Sequence, residues 1–382
     1  MKNRIMPTAL GVVFLMLSLV SCSEQEETVD VLRAKAKRGE VEAQYKLGQL
    51  YFEDKEDGPI NLEEAYRMIT LASNEGHADA LALMGQFYEE GLGVSGDLQT
   101  AADWYKKAAE KGSAIGQQHL GHLYQAGRGV PLDYQKALEW FTKAHEQGNT
   151  EATGDLATMY LMGLGVDRDC EKALALSREA AEGGSQFGMY LLGVLYYHGD
   201  CVAQDYLEAY SWFKASAELG NIDAPYYIGM IYKLGHGITK DETKAEVWMR
   251  KAADLNNGIA QNELGLWSYE RGLEAEAKGE EGRTHYQEAA GWLFKAAYHD
   301  YTDALDLLAK IYQSKDLRLH AYLDEQFEKY LALAEAGDTN AKVLIAIMTA
   351  TNDFGKLDQD TSEKYFREAA AKGHPLAQSL FE

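Results

Sequence analysis

The sequence predicts an all-α fold, an α/α solenoid of about nine helix-turn-helix units with a half-unit at each end, on three observations. First, an apolar residue followed by a small one recurs, the small residue being Gly48, Gly85, Gly121, Ala157, Gly193, Gly229, Gly265, Ala309 and Ala346, with spacings of 37, 36, 36, 36, 36, 36, 44 and 37. A fixed period of this size marks a repeat array, in which each unit buries its apolar face only against its neighbours. Second, the apolar positions inside a unit keep helical spacing, as in Ala80, Leu83, Met84, Phe87 and Tyr88 and again in Ala101, Trp104, Tyr105, Ala108 and Ala109. Third, 382 residues exceed a usual single-core domain, and only 5 of them are proline, which suits many short helices.

Each unit therefore holds a helix A and a helix B. The markers lie inside helix A, where glycine costs roughly 0.5–1 kcal/mol against alanine, so a recurring glycine implies a recurring close approach of a neighbouring helix. Helix A ends in a loop, Gly91-Leu92-Gly93-Val94, echoed at Gly127, Gly163 and Gly235. No Gly-Lys-Ser/Thr follows, and the loop returns at every period, so it is a tight turn with left-handed glycines and not a phosphate cradle. Asn61, Asp97, Asp133, Asp169, Asp205 and Asp241, each 36 residues from the last, stand where helix B begins and are N-caps. Trp104, Trp140, Trp212, Trp248 and Trp292 on helix B are expected to fill the core between layers. Helix B ends at a glycine: Gly39, Gly76, Gly112, Gly148, Gly184, Gly220, Gly337 or Gly373. His77 and His374, just after two of these, read as turn residues.

The order Ala-x-x-x-Leu-Gly-x-x-Tyr, Gly-x-Gly-Val-x-x-Asp, Lys-Ala, Trp-Tyr/Phe, Lys-Ala-Ala and Gly resembles the Sel1-like repeat family, over roughly residues 31–382 and most strongly over 80–253. The resemblance implies a right-handed superhelix related to tetratricopeptide arrays. It also implies a non-catalytic scaffold that binds other proteins, without a cofactor.

At the N-terminus, Lys2 and Arg4 precede an apolar stretch, residues 9–20, too short to span a bilayer, so residues 1–21 read as a signal peptide. Leu19-Val20-Ser21-Cys22 resembles the lipobox of bacterial lipoproteins, which makes Cys22 the acylated residue and residues 22–30 an acidic tether. Ser23 after the cysteine, by resemblance to Gram-negative sorting, favours the outer membrane, the solenoid facing the periplasm or the cell surface.

Two departures from the repeat bear on function. The spacing of 44 adds about eight residues near Glu270, Arg271, Glu280, Glu281 and Arg283, a candidate contact site formed by longer helices or by a loop. Cys201 stands where a second loop glycine belongs, and Cys170 follows the N-cap Asp169, so a disulfide between layers and two free thiols both fit.

The formal charge of −23 works against nucleic acid and calls for basic patches on a protein partner. His119 and His122 share a helix face but have no third ligand, so no metal site is assigned. Ser211-Trp212-Phe213-Lys214 matches the Ser-x-x-Lys of serine β-lactamases, yet it keeps the repeat frame, and a β-lactamase-like hydrolase ranks below the scaffold. By resemblance to outer-membrane lipoproteins with similar repeats, a role in exopolysaccharide secretion or cell-wall assembly is the narrower alternative.

Overall fold

The computed structural model describes residues 29–53, 61–299, 301–312, 317–350 and 359–379; Cys22, with the expected signal peptide and most of the tether, lies outside them. Among the described residues every regular element is a helix. A single helix, α1 (Val29–Lys37), comes first and takes in the last two residues of the expected tether. Helices A and B then alternate as α2 (Val41–Glu53) and α3 (Leu62–Asn74), α4 (Ala78–Glu90) and α5 (Leu98–Glu110), α6 (Ala114–Ala126) and α7 (Tyr134–Glu146). The order continues with α8 (Thr150–Met162) and α9 (Cys170–Glu182), α10 (Gln186–His198) and α11 (Tyr206–Glu218), α12 (Ala224–Leu234) and α13 (Glu242–Asp254). Last come α14 (Gly258–Ala277) and α15 (Arg283–Tyr298), α16 (Ala304–Tyr312) and α17 (Leu317–Glu335), α18 (Thr339–Ala350) and α19 (Gln359–Ala371), and the short α20 (Pro375–Ser379). The array is an α/α solenoid in which each helix packs on the one before and the one after. No described helix is long and apolar enough to cross a membrane.

The boundaries follow from capping. Asn61, Asp97, Asp133, Asp169, Asp205 and Asp241 each accept a hydrogen bond from a backbone N–H in the first turn of helix B, worth about 1 kcal/mol apiece. Helix A carries its own caps, among them Ser113, Asn149, Ser185 and Asn257. His77, read above as a turn residue, is one of them: its Nδ1 accepts from Ala80 N–H at 3.2 Å. After α13 the left-handed residue is Asn256, at φ 66°, where other B helices end on glycine; asparagine tolerates that conformation best after glycine.

The marker glycines admit a ring from helix B. A Cβ on Gly85 would lie 2.6 Å from the Tyr105 ring, and one on Gly121 2.6 Å from Phe141. These rings, with Phe213, Met249 and Leu293 in the same frame, are the buried core. The tryptophans one residue earlier are half-buried, which corrects the expectation above. Four of the five indoles sit at the flank of the layer under a lysine: Lys107 lies 4.2 Å from the centre of Trp104, Lys143 3.9 Å from Trp140, Lys251 5.0 Å from Trp248, and Lys295 4.3 Å from Trp292.

The extra residues in the seventh unit lengthen a helix pair. α14 runs for 20 residues and α15 for 16, against 13 in α4 and α5. Glu270, Glu280 and Glu281 are exposed on this longer hairpin. Arg271 reaches back to Glu246 of α13 at 3.2 Å, which ties the hairpin to the layer before it, and Arg283 pairs locally with Glu281 at 2.5 Å.

Candidate functional site

In the first six units helices A of neighbouring units approach more closely than helices B do, as α4 with α6 and α8 with α10, whereas at the seventh and eighth units the closer pair is the B helices α15 and α17. Closer spacing on one side bends an array toward that side, so helices A line its inner groove. Along helix A some frame positions repeat from unit to unit: Ala or Gly five residues before the marker, an apolar residue just before it, and, in the first six units, tyrosine three residues after it. Those positions hold the layers together. The positions facing the groove differ from unit to unit. Three residues before the marker stand Tyr45, Ala82, Gln118, Gly154, Tyr190, Tyr226 and Asn262; two before it stand Lys46, Leu83, His119, Asp155, Leu191, Tyr227 and Glu263. Folding needs the first set; the members of the second that reach solvent, among them Gln118, His119, Tyr190, Tyr226 and Tyr227, write a surface.

In the fifth and sixth units that surface is aromatic. Tyr190, Tyr197, Tyr226 and Tyr227 are partly exposed, and Tyr227 lies 5.9 Å from Tyr190 and 5.3 Å from both Tyr197 and Tyr226, ring centre to ring centre. Phe213 supports the pad from below, stacked on Tyr227 at 4.6 Å. Burial, with the Glu263 carboxylate near by, pushes the Tyr226 hydroxyl up to about 12, so these phenols stay neutral hydrogen-bond donors. Partly exposed tyrosines of this kind are the residues protein interfaces favour.

In the third and fourth units the groove is polar. His119 stacks on Tyr105 at 4.8 Å, and Glu89 accepts from the Tyr105 hydroxyl at 2.8 Å and pairs with Arg128 at 3.2 Å. Asp155 accepts from Gln118 at 3.0 Å and lies 3.2 Å from His122 Nε2. Burial lowers the His119 pKa. For His122 burial is the largest single influence and also opposes the charge, but the hydrogen bond and charge of Asp155, with Gln125 and Glu89, together outweigh it and raise the pKa. The two histidines should therefore titrate in opposite directions from 6.5, which ring-nitrogen NMR reads directly. By linkage, the His122 contribution to stability is full below its unfolded pKa and lost as pH rises through its folded value. His119, held neutral, loses its contribution as pH falls through 6.5 toward its folded value. Asp155→Asn should bring His122 down toward His119; an unmoved His122 would assign the shift to another group.

Cys170 and Cys201 are joined in a disulfide, with Cα atoms 5.0 Å apart. The repeat itself creates that proximity. The second loop glycine of each unit packs on the first residue of helix B in the unit before, so that a Cβ on Gly129 would lie 2.2 Å from the Leu98 carbonyl and one on Gly165 2.6 Å from that of Tyr134. Cys201 and Cys170 occupy those two positions one period later, and Cys201 keeps the left-handed conformation of the glycine it replaces, φ 62°. Ser211 donates its hydroxyl to its own helix, at Leu207 O, 3.0 Å away, and Lys214 pairs with Glu218 at 4.0 Å, so both groups of the Ser-x-x-Lys match are used on the surface of α11. Among the described residues no group of three or more His, Cys, Asp or Glu is placed to hold a metal ion.

The Sel1 repeat pattern matches residues 41–77, 78–113, 114–149, 150–185, 186–221, 222–257, 258–301 and 353–374. The chain belongs to the Sel1 repeat family. Among solved structures it is similar to a Sel1 repeat protein from Oxalobacter formigenes, at 30% identity over 59% of this chain and 96% of that one, TM-score 0.51. It is also similar to a protective antigen present in uropathogenic Escherichia coli strains, at 29% identity over 92% and 80%, TM-score 0.43, and to an immunity protein from Pseudomonas aeruginosa, at 22% over 56% and 81%, TM-score 0.42. No curated protein matches the chain. Sel1 repeat scaffolds generally mediate protein–protein interaction and are typically non-catalytic. The first seven Sel1 repeats here coincide with the helix pairs from α2 to α15; in the stretch the pattern does not match, α16 packs on α15 and α18 on α17.

Proposed function

We propose that this Sel1 repeat protein is a non-catalytic scaffold held at the bacterial envelope by acylated Cys22, and that a segment of a partner protein lies along the groove of the A helices. The observation that carries the reading is the division of helix A. Positions that keep the frame are accounted for by packing, while the groove positions vary and gather Tyr190, Tyr197, Tyr226 and Tyr227 on one partly exposed pad. Rigid aromatic area of this kind is what anchors a partner at low entropic cost. The formal charge of −23 supports a partner with basic patches, whose association should weaken as salt rises. The Cys22 anchor rests on the lipobox resemblance and the apolar stretch before it.

In-cell photo-crosslinking tests this. A crosslinker at Val194 or Met230, in the groove, should capture one envelope protein, and the same crosslinker at Glu139 or Glu208, exposed on helices B, should not. Equal capture from both faces, or glycan alone from the groove, would defeat the reading and favour the cell-wall or exopolysaccharide alternative.

A further inference from the structure

The groove position three residues before the marker carries a large or polar side chain in most layers and a small one in two, Ala82 and Gly154. At Gly154 the space is taken, because a Cβ there would lie 2.8 Å from the Phe187 ring. Ala82, itself 1% exposed, leaves room beside it. The result is a pocket of ≈ 140 Å³ between α2, α4 and α6, walled by Tyr45, Phe52, Leu83, Ile115 and His119. Gln49, Asp79 and Gln86 share its wall, so the pocket is amphipathic, and its volume matches a benzene-sized group. Folding does not require it, since a tyrosine stands at the same frame position in three other layers.

The charge around the pocket is one-sided. Asp79, in its wall, accepts from the Ser113 hydroxyl at 2.6 Å, and Glu90 accepts from the amide of Gln86, another wall residue, at 2.7 Å. Both partners are neutral, so neither carboxylate is cancelled by a cation. The adjacent Glu42 does have one, Lys46 at 3.4 Å.

We propose that this pocket receives one aromatic or leucine-sized side chain from a partner segment that carries lysine or arginine beside it. The inference rests on the groove reading above and gives it a specific anchor: the apolar walls take the side chain, while Asp79 and Glu90 select the neighbouring charge. An uncharged or acidic segment would leave both carboxylates facing a desolvated contact without compensation.

The test uses the mature chain and fluorescein-labelled peptides Lys-Lys-Phe-Lys-Lys, Lys-Lys-Ala-Lys-Lys and Glu-Glu-Phe-Glu-Glu, followed by fluorescence polarisation. The wild type should bind the first about tenfold more tightly than the second, as burial of one aromatic ring provides, and the third least. Ala82→Tyr, which restores the residue of other layers, should abolish the preference for Phe over Ala. Ile115→Trp, at a position 43% exposed and so tolerant of substitution, should do the same by closing the mouth if Ala82→Tyr fails to fold. Glu90→Gln should weaken both lysine peptides about equally. Equal binding of the Phe and Ala peptides, binding of the Glu peptide as tight as the first, or a preference that survives in a folded pocket variant would overturn the proposal. Capture from Val194 and Met230 would persist in that case, whereas its loss would remove the groove reading itself.

Discussion

Phe213→Ala should cost about 3–5 kcal/mol, the range for emptying a buried aromatic site, while Trp212→Ala beside it should cost roughly 1–2 kcal/mol, as loss of a half-buried surface does. Phe213 is 0% exposed; its ring fills the notch of Gly193, where a Cβ would stand 2.8 Å away, and stacks on Tyr227. Trp212 is half-buried at the flank of the layer, and Ala215 stands where Lys107 and Lys143 cover the tryptophans of other units. Denaturant unfolding followed by circular dichroism separates the two variants. Equal losses would put the tryptophan back into the core. Because Phe213 supports the Tyr227 ring, its removal should also reduce capture from Met230.

Opening the Cys170–Cys201 bridge should cost about 3–4 kcal/mol on the chain-entropy account, for cysteines 31 residues apart. Two variants divide that cost. Cys170→Ser removes the bridge and leaves Cys201 in the left-handed region without it, whereas Cys201→Gly removes the bridge but restores the residue the frame calls for. Glycine takes that conformation without the penalty of about 1 kcal/mol or more that a side chain carries there. Cys201→Gly should therefore be the more stable by about 1 kcal/mol, and dithiothreitol should destabilise the wild type but neither variant. Intact mass after alkylation without reductant gives the independent check: both thiols alkylated would show that no bridge forms. A wild type indifferent to reductant would assign the bridge no part in stability.

Much of this architecture is legible in the sequence because the signals are local and repeat. An aspartate caps helix B at Asp97 for the same reason as at Asp241, and a glycine takes the positive φ after most B helices. Where another residue does the same work, reading by residue type fails: Asn256 ends α13 without glycine, and His77 caps α4 although histidine is not a usual cap. Periodicity could not rank Trp212 against Phe213, since adjacent residues on one helix differ by only 100° and the packing angle of α11 decides which points inward.

The sequence by itself determined that this chain is a Sel1 repeat solenoid, where most helices of the first six units start and stop, and which two layers hold Cys170 and Cys201, because each depends on contacts within a unit or between adjacent ones. Tertiary structure alone decided that the extra residues near Glu270 lengthen two helices, that the two cysteines meet, and that Tyr190, Tyr197, Tyr226 and Tyr227 share one pad while a pocket forms beside Ala82. Those outcomes depend on how far one layer rotates on the next. The apolar pattern of a single unit carries no record of that rotation.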